Sequence, residues 1–232
     1  MTDQPPKKRR IARLFATTRR RWALVLVVNC LVLTGIGLWA FWPQAVRLLP
    51  GSVQASVLPI EEAGAVLGVT LLSSTDSTEP PPELATTPES CKAAVGPATR
   101  AVYGGGWTKF YSATYQDSAD VADHVVIQVL GTYPDGKQAG EVFTTLSKAV
   151  SGCESATRTA GGASSKWLYE ADETTPDTLT WSAFQSGGGE WGCYRQAKLK
   201  GSTVLQAAVC QSGFGAPAAA KIAEKFAAKV GQ

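Results

Sequence analysis

Trp191-Gly192-Cys193-Tyr194-Arg195-Gln196-Ala197-Lys198-Leu199-Lys200-Gly201-Ser202-Thr203-Val204-Leu205-Gln206-Ala207-Ala208-Val209-Cys210 is the stretch that decides the fold. It reads as two strands, Glu190–Lys200 and Thr203–Gln211, around a two-residue turn at Gly201-Ser202. A turn of that length makes Lys200 and Thr203 opposite neighbours, so antiparallel partners have residue numbers that sum to 403. Cys193 and Cys210 meet that condition. They stand seven steps from the turn-closing pair, an odd number, and pairs alternate in type along a ladder. The two cysteines are therefore a non-hydrogen-bonded pair with Cα atoms ~4.5 Å apart, within reach of a disulfide.

The chain has five cysteines. Cys30 lies in an apolar run and reads as a small apolar filler. With Cys193 and Cys210 assigned to each other, Cys91 and Cys153 are left to pair. An even count in an oxidising compartment reads as two disulfides. On the chain-entropy argument the long-loop bridge stabilises by roughly 4 kcal/mol and the hairpin bridge by about 3 kcal/mol.

Upstream of the hairpin, Pro59–Leu67 reads as a helix, with Glu61 and Glu62 near its positive end and Gly68 after it. Ser73–Pro88 is rich in Ser, Thr and Pro and reads as a surface loop. Thr87 is expected to cap a short helix that carries Cys91. Trp107–Tyr115 and His124–Tyr133 read as strands, and the near-continuous apolar character of the second gives it a central position. Pro134-Asp135-Gly136 opens an amphipathic helix with Ala139, Val142, Phe143, Leu146, Ala149 and Val150 on one stripe. Lys166–Glu170 and Asp177–Gln185 are further strands, and Pro217 begins a last helix with Ile222, Phe226 and Val230 four residues apart.

The net charge of +3 averages two unlike regions. Residues 1–22 hold eight basic groups against Asp3 alone, whereas the rest of the chain holds 14 basic and 18 acidic groups. The folded part is mildly acidic, so no nucleic-acid partner is expected. Ala23–Trp42 is a run of 20 uncharged residues, long enough as a helix to cross a bilayer core of ~30 Å. Trp22, Trp39 and Trp42 sit at its ends, where indoles favour the headgroup region. Basic residues crowd its N-terminal flank, which places the N-terminus in the cytoplasm and the C-terminal domain outside. A cleaved signal peptide would need small residues before the cut, and cleavage after Ala40 would put Leu38 at the −3 position. The expected organisation is a cytoplasmic tail at 1–22, a transmembrane helix at 23–42, a membrane-proximal linker at 43–56 and an extracytoplasmic domain at 57–232. The lipid bilayer is then the first partner.

Little in the sequence points to chemistry. His124 is the single histidine, which excludes a histidine-based zinc site, and the cysteines are better used as disulfides. No G-x-S-x-G elbow and no phosphate-binding glycine loop followed by Lys-Ser/Thr occurs. Ser186-Gly187-Gly188-Gly189 reads as a hairpin loop. Glu170, Asp172 and Glu173 read as a solvated turn rather than a glycosidase carboxylate pair. No cofactor and no metal is expected. Trp107, Tyr111, Tyr115, Trp167, Trp181, Trp191 and Tyr194 fall mostly on strands. If helices cover one face of the sheet, aromatics on the other could stack on sugars or lipids.

Several stretches together resemble the PknH-like extracellular domain family, the sensor domain of a mycobacterial receptor Ser/Thr kinase. They are Leu58-Pro59-Ile60-Glu61-Glu62 with Leu67-Gly68, Tyr103-Gly104-Gly105-Gly106-Trp107, His124 with Gln128, and Tyr133-Pro134-Asp135. Ala139, Phe143, Cys153, Trp191-Gly192-Cys193 and Ala208-Val209-Cys210 extend the match. The resemblance implies an α+β domain with two disulfides and a ligand-binding cleft, and it does not imply an enzyme. The 22 residues ahead of the span are too few for a kinase domain, so kinase activity is not carried over.

The expected fold is therefore α+β: a twisted antiparallel sheet with helices packed on one face and two disulfides, preceded by one transmembrane helix. Trp107, His124, Gln128, Trp181 and Gln196 are the candidate cleft residues. Polar side chains within strands, such as Gln128 and Gln196, need partners, and His124 shares a strand face with Gln128. The expected function is a non-catalytic, sensor-like module that binds an envelope ligand: a glycan, a lipid or a peptidoglycan fragment. The alternative is a structural protein that tethers an envelope protein partner at the membrane.

Overall fold

Strand His124–Thr132 carries Val125, Val126, Ile127, Val129 and Leu130, so apolar side chains leave both of its faces. Such a strand must be covered twice, and the rest of the fold meets that requirement. The structure, a computed structural model, describes residues 52–230. The tail at 1–22, the expected transmembrane helix at 23–42 and linker residues 43–51 lie outside the described residues. Among the described residues no helix is long and apolar enough to cross a membrane.

In chain order the elements are α1 (Val53–Ser56), α2 (Ile60–Leu67), β1 (Ser73–Ser77), β2 (Ala85–Thr87), a 3-10 turn (Glu89–Cys91), α3 (Lys92–Val95), β3 (Lys109–Gln116), β4 (His124–Thr132), α4 (Gly136–Ser151), β5 (Ser155–Ala160), β6 (Ala163–Thr174), β7 (Thr178–Gln185), β8 (Trp191–Lys200), β9 (Thr203–Ser212) and α5 (Ala216–Lys229). Residues 53–56, read as the end of a linker, are helical instead. Local chemistry sets the helix ends. The Asp135 carboxylate accepts the Gln138 N–H at 2.8 Å at the start of α4. Gly68 closes α2 at φ 75°, where only glycine is unstrained.

The described strands form one antiparallel sheet in the order β1-β3-β4-β9-β8-β7-β6-β5-β2. The central hairpin has the expected register: Lys200 faces Thr203 and Cys193 faces Cys210. Both expected disulfides are present, with Cα separations of 5.4 Å for Cys91–Cys153 and 3.9 Å for Cys193–Cys210.

Helices do not pack on one face only, and this corrects the sequence expectation. α3 and α4 cover the face that buries Val129, Leu179, Trp181, Ala197 and Val204. α1, α2 and α5 cover the other, over Val126, Leu130, Leu205, Ala207 and Val209. The two-sided apolar pattern of β4 and β9 is the cause. Each fully buried side chain such as Phe143, Ile222 or Phe226 contributes about 1.5–3 kcal/mol of apolar burial.

The segment Ser73–Pro88, expected as a loop, holds the two outermost strands. β1 and β2 are short, rich in Ser and Thr, and sit at opposite edges of the sheet, a composition that suits edges. Thr87 lies in β2, so Pro88 rather than Thr87 precedes the 3-10 turn. A nine-stranded sheet laid flat would separate its edge strands by about 38 Å. From Ser77 to Ala85 the chain can reach at most about 28 Å. The sheet is therefore curled as well as twisted. The connecting strap packs on the α4 side, where Leu84 joins the core and Arg100 donates to the Pro80 and Pro81 carbonyls. The α4 face is the concave one.

Two buried glutamines stitch the layers together. Gln128 is fully buried; its Nε2 donates to the Leu58 carbonyl at 3.0 Å and its Oε1 accepts the Leu58 N–H at 2.9 Å. The Tyr115 hydroxyl donates to the same carbonyl at 2.9 Å. On the other face Gln206 Nε2 donates to the Pro97 carbonyl and the Tyr103 hydroxyl. Glu62 of α2 accepts from Lys225 and Lys229 of α5, both at 2.9 Å, and those bonds hold its carboxyl below the ordinary value despite partial burial.

Two predictions follow from these contacts. Gln128→Leu leaves the Leu58 N–H buried without a partner, and should lower unfolding stability by about 2–3 kcal/mol in a urea titration; a loss under about 0.5 kcal/mol contradicts the clamp. For Glu62 the folded pKa is depressed, so its stabilisation is complete above 4.5 and is lost as pH falls through the lower folded value. Glu62→Gln should accordingly flatten the acid limb of the stability–pH curve, and high salt should do the same in the parent chain.

Candidate functional site

Of the five residues expected to form a cleft, Trp181 and Gln196 border one recess, and Trp107, His124 and Gln128 lie apart from it. Trp107 is half-buried against the α4-side core, its ring 6.0 Å from Phe110. His124 sits at the start of β4, its Nδ1 2.7 Å from Asp117 Oδ2. Asp117 also accepts the Asp123 N–H, and these bonds outweigh partial burial to hold its carboxyl below the usual range. This pair fastens the β3–β4 turn. Gln128 does not line a recess, because both ends of its amide are used by Leu58. Leu58 arrives from a distant loop, beyond what strand register determines. Trp181 is buried in the α4-side core. Gln196 lies on the opposite face.

The sheet nevertheless carries two recesses, one on each face. The first, of about 450 Å³, is a groove beside α5 bordered by Thr180, Ser182, Gln196 and Phe214, with Glu170 and Asp172 at its rim. Trp181 and Gln196 both border it. Burial pushes the Asp172 carboxyl up, and the Glu170 charge adds to the shift. Phe214 is 73 % exposed and packs edge-on against Tyr194.

The second recess, of about 310 Å³, opens on the concave face. Strand alternation builds it. Cys193 and Arg195 are two residues apart on β8, so they share a face; Ala183 of β7 faces Cys193, and Trp181 faces Arg195. The Cys193–Cys210 bridge lies in its wall, with Val125 and Ile127 of β4 and Ala94 and Val95 of α3. β6 supplies Trp167 and Tyr169, and β5 supplies Arg158. Trp191 closes the remaining side, its ring 6.4 Å from Trp167 in an edge-to-face contact.

Charge sets this cavity apart. Arg195, half-buried and bordering both recesses, has an Nε that finds no hydrogen-bond partner. Burial pulls its guanidinium down to about 10, the nearby Tyr169 opposes that, and Arg158 adds repulsion. The Arg158 guanidinium lies over the Trp167 ring, 5.3 Å from its centroid. Among the described residues no carboxylate pairs with either arginine. Burial pushes the Tyr169 hydroxyl up to about 12, so it keeps its proton and can donate. A half-buried guanidinium without a counter-ion is partly desolvated and keeps hydrogen-bonding capacity to spare. The arrangement can hold an anion against an aromatic wall. Among the described residues no cluster of His, Cys, Asp and Glu could hold a metal ion.

Arg195 was within reach of the sequence. Once Cys193 and Cys210 are paired, a residue two positions along must share their face, and a charged one there is anomalous. Arg158 was not, because the small polar run of β5 carries no strand pattern.

Comparisons with known proteins agree with this architecture. Comparison with curated proteins gives no match. The crystal structure of the extracellular domain of PknH from Mycobacterium tuberculosis superimposes with a TM-score of 0.69 at 22 % identity, over 79 % of this chain and 96 % of that one. At that identity the likeness establishes a common fold. The profile of the PknH-like extracellular domain family matches residues 48–229, most of the chain. The chain belongs to the PknH-like extracellular domain family.

Proposed function

We propose that this chain is a membrane-anchored, extracytoplasmic module of the cell envelope that binds a ligand without turning it over, as a sensor domain does. The uncharged run at 23–42 anchors it, the basic residues of 1–22 remain in the cytoplasm, and the disulfide-stapled domain stands outside. One observation carries the ligand-binding reading: Arg195 is half-buried on the concave face with its Nε buried and unpartnered, beside Arg158, Trp167, Tyr169 and Trp191. A ligand anion would supply the counter-charge that this guanidinium lacks among the described residues. The same cavity holds no nucleophile next to a base, which favours binding over chemistry. The second reading, a tether for an envelope protein, is favoured by the exposed Phe214 beside the groove on the α5 face.

A thermal-shift screen of the full chain against envelope glycans, lipids and peptidoglycan fragments tests the proposal. At least one compound should raise the unfolding midpoint and be recovered unchanged, and Arg195→Met should abolish that shift. Stabilisation that survives Arg195→Met moves the site elsewhere, and consumption of the compound would make the protein an enzyme. The unliganded Arg195→Met chain should itself be at least as stable as the parent, because a half-buried charge without a counter-ion has been removed. Fractionation should recover the chain with membranes, and its N-terminal sequence should begin before residue 23.

A further inference from the structure

The concave cavity has a chemistry more specific than ligand binding in general. Its two cationic groups come from different strands, Arg158 from β5 and Arg195 from β8, and they converge on one recess. Like charges repel, and a negative group held between them would relieve that repulsion. Guanidinium is the side chain whose planar fork matches a carboxylate or phosphate through paired N–H donors. Tyr169, which keeps its proton, adds a neutral donor beside them.

The remaining wall is aromatic and aliphatic: Trp167 and Trp191 with Val125 and Ile127. Trp167 is nearly all buried, one face lies beneath Arg158, and its Nε1 donates to Ser165. Trp191 is only half-buried, so it keeps indole surface facing the recess. Such a surface matches the C–H face of a sugar ring. The volume, about 310 Å³, lies at the small end of ligand sites and suits one ring with its substituents. A fatty chain would leave both guanidiniums unpaired, and a neutral sugar would do the same.

We propose that this cavity binds an anionic sugar, a single ring bearing a carboxylate or phosphate, with the anion on Arg195 and Arg158 and the ring against Trp191. The proposal rests on the reading of this cavity as the ligand site and adds the class of ligand.

Isothermal titration calorimetry on the full chain in detergent micelles separates the two. The probes are glucose 6-phosphate, glucuronate, inorganic phosphate and glucose. Glucose 6-phosphate, glucuronate or both should bind at least tenfold more tightly than glucose and than inorganic phosphate, and the affinity should fall as salt rises. Preference between the two anionic sugars tells which anion the site takes. Arg195→Met and, independently, the half-exposed Arg158→Gln should each weaken binding at least tenfold. Trp191→Ala should weaken the sugars and leave inorganic phosphate unchanged. If glucose binds as tightly as the anionic sugars and Trp191→Ala weakens both, the anionic class is wrong and the cavity reading stands. If none of the probes binds, the anionic-sugar proposal is overturned. If anionic sugars bind and all three variants leave them unchanged, both the proposal and the cavity reading fail.

Discussion

The register between β8 and β9 is the constraint on which the rest of the structure depends. The two-residue turn at Gly201-Ser202 and the bridge from Cys193 to Cys210 fix the hairpin at both ends, with no freedom to slip by one residue. A slip would turn Leu205, Ala207 and Val209 away from α5 and turn Arg195 out of its cavity. β4 and β7 add to the two sides of this hairpin, so its register propagates to both edges of the sheet. The short reach of the strap from β1 to β2 then forces the curl that makes one face concave. The hairpin bridge is thus both a staple and part of the cavity wall.

Much of this was written locally in the chain. The Cys193–Cys210 pairing follows from a two-residue turn and counting, and the long helix α4 from one apolar stripe and an Asp135 cap. What sequence reasoning missed depends on distant partners. β1, β2 and β5 are short polar segments whose strand character comes from the ladder they join rather than from any apolar alternation. Gln128 looked like a residue awaiting a ligand, and the backbone of Leu58, seventy positions away, turned out to satisfy it. The expectation of one covered face failed for a reason visible in the sequence. β4 has no polar side, and a strand of that kind cannot present a wet surface.

The contrast between the two polar groups separates structure from function. Gln128 and Arg195 are both polar residues placed within strands of the central sheet. Every hydrogen-bonding group of the Gln128 side chain that the fold needs is matched within the protein, which makes it part of the architecture. Arg195 has an orphaned Nε, a second arginine beside it and a phenol that retains its proton, all around open volume. If the concave cavity binds a charged ligand as proposed, it should be less than optimally stable when empty.

The most direct measurement follows the guanidinium itself. In a chain labelled with 15N-arginine, the side-chain Nε–H resonance of Arg195 can be assigned by its loss in Arg195→Met. The account predicts that this resonance moves saturably as a stabilising ligand is titrated, along the same binding curve that calorimetry gives. A ligand that binds while the Arg195 resonance stays where it was would contradict the account, because the unmet charge would then have nothing to do with recognition.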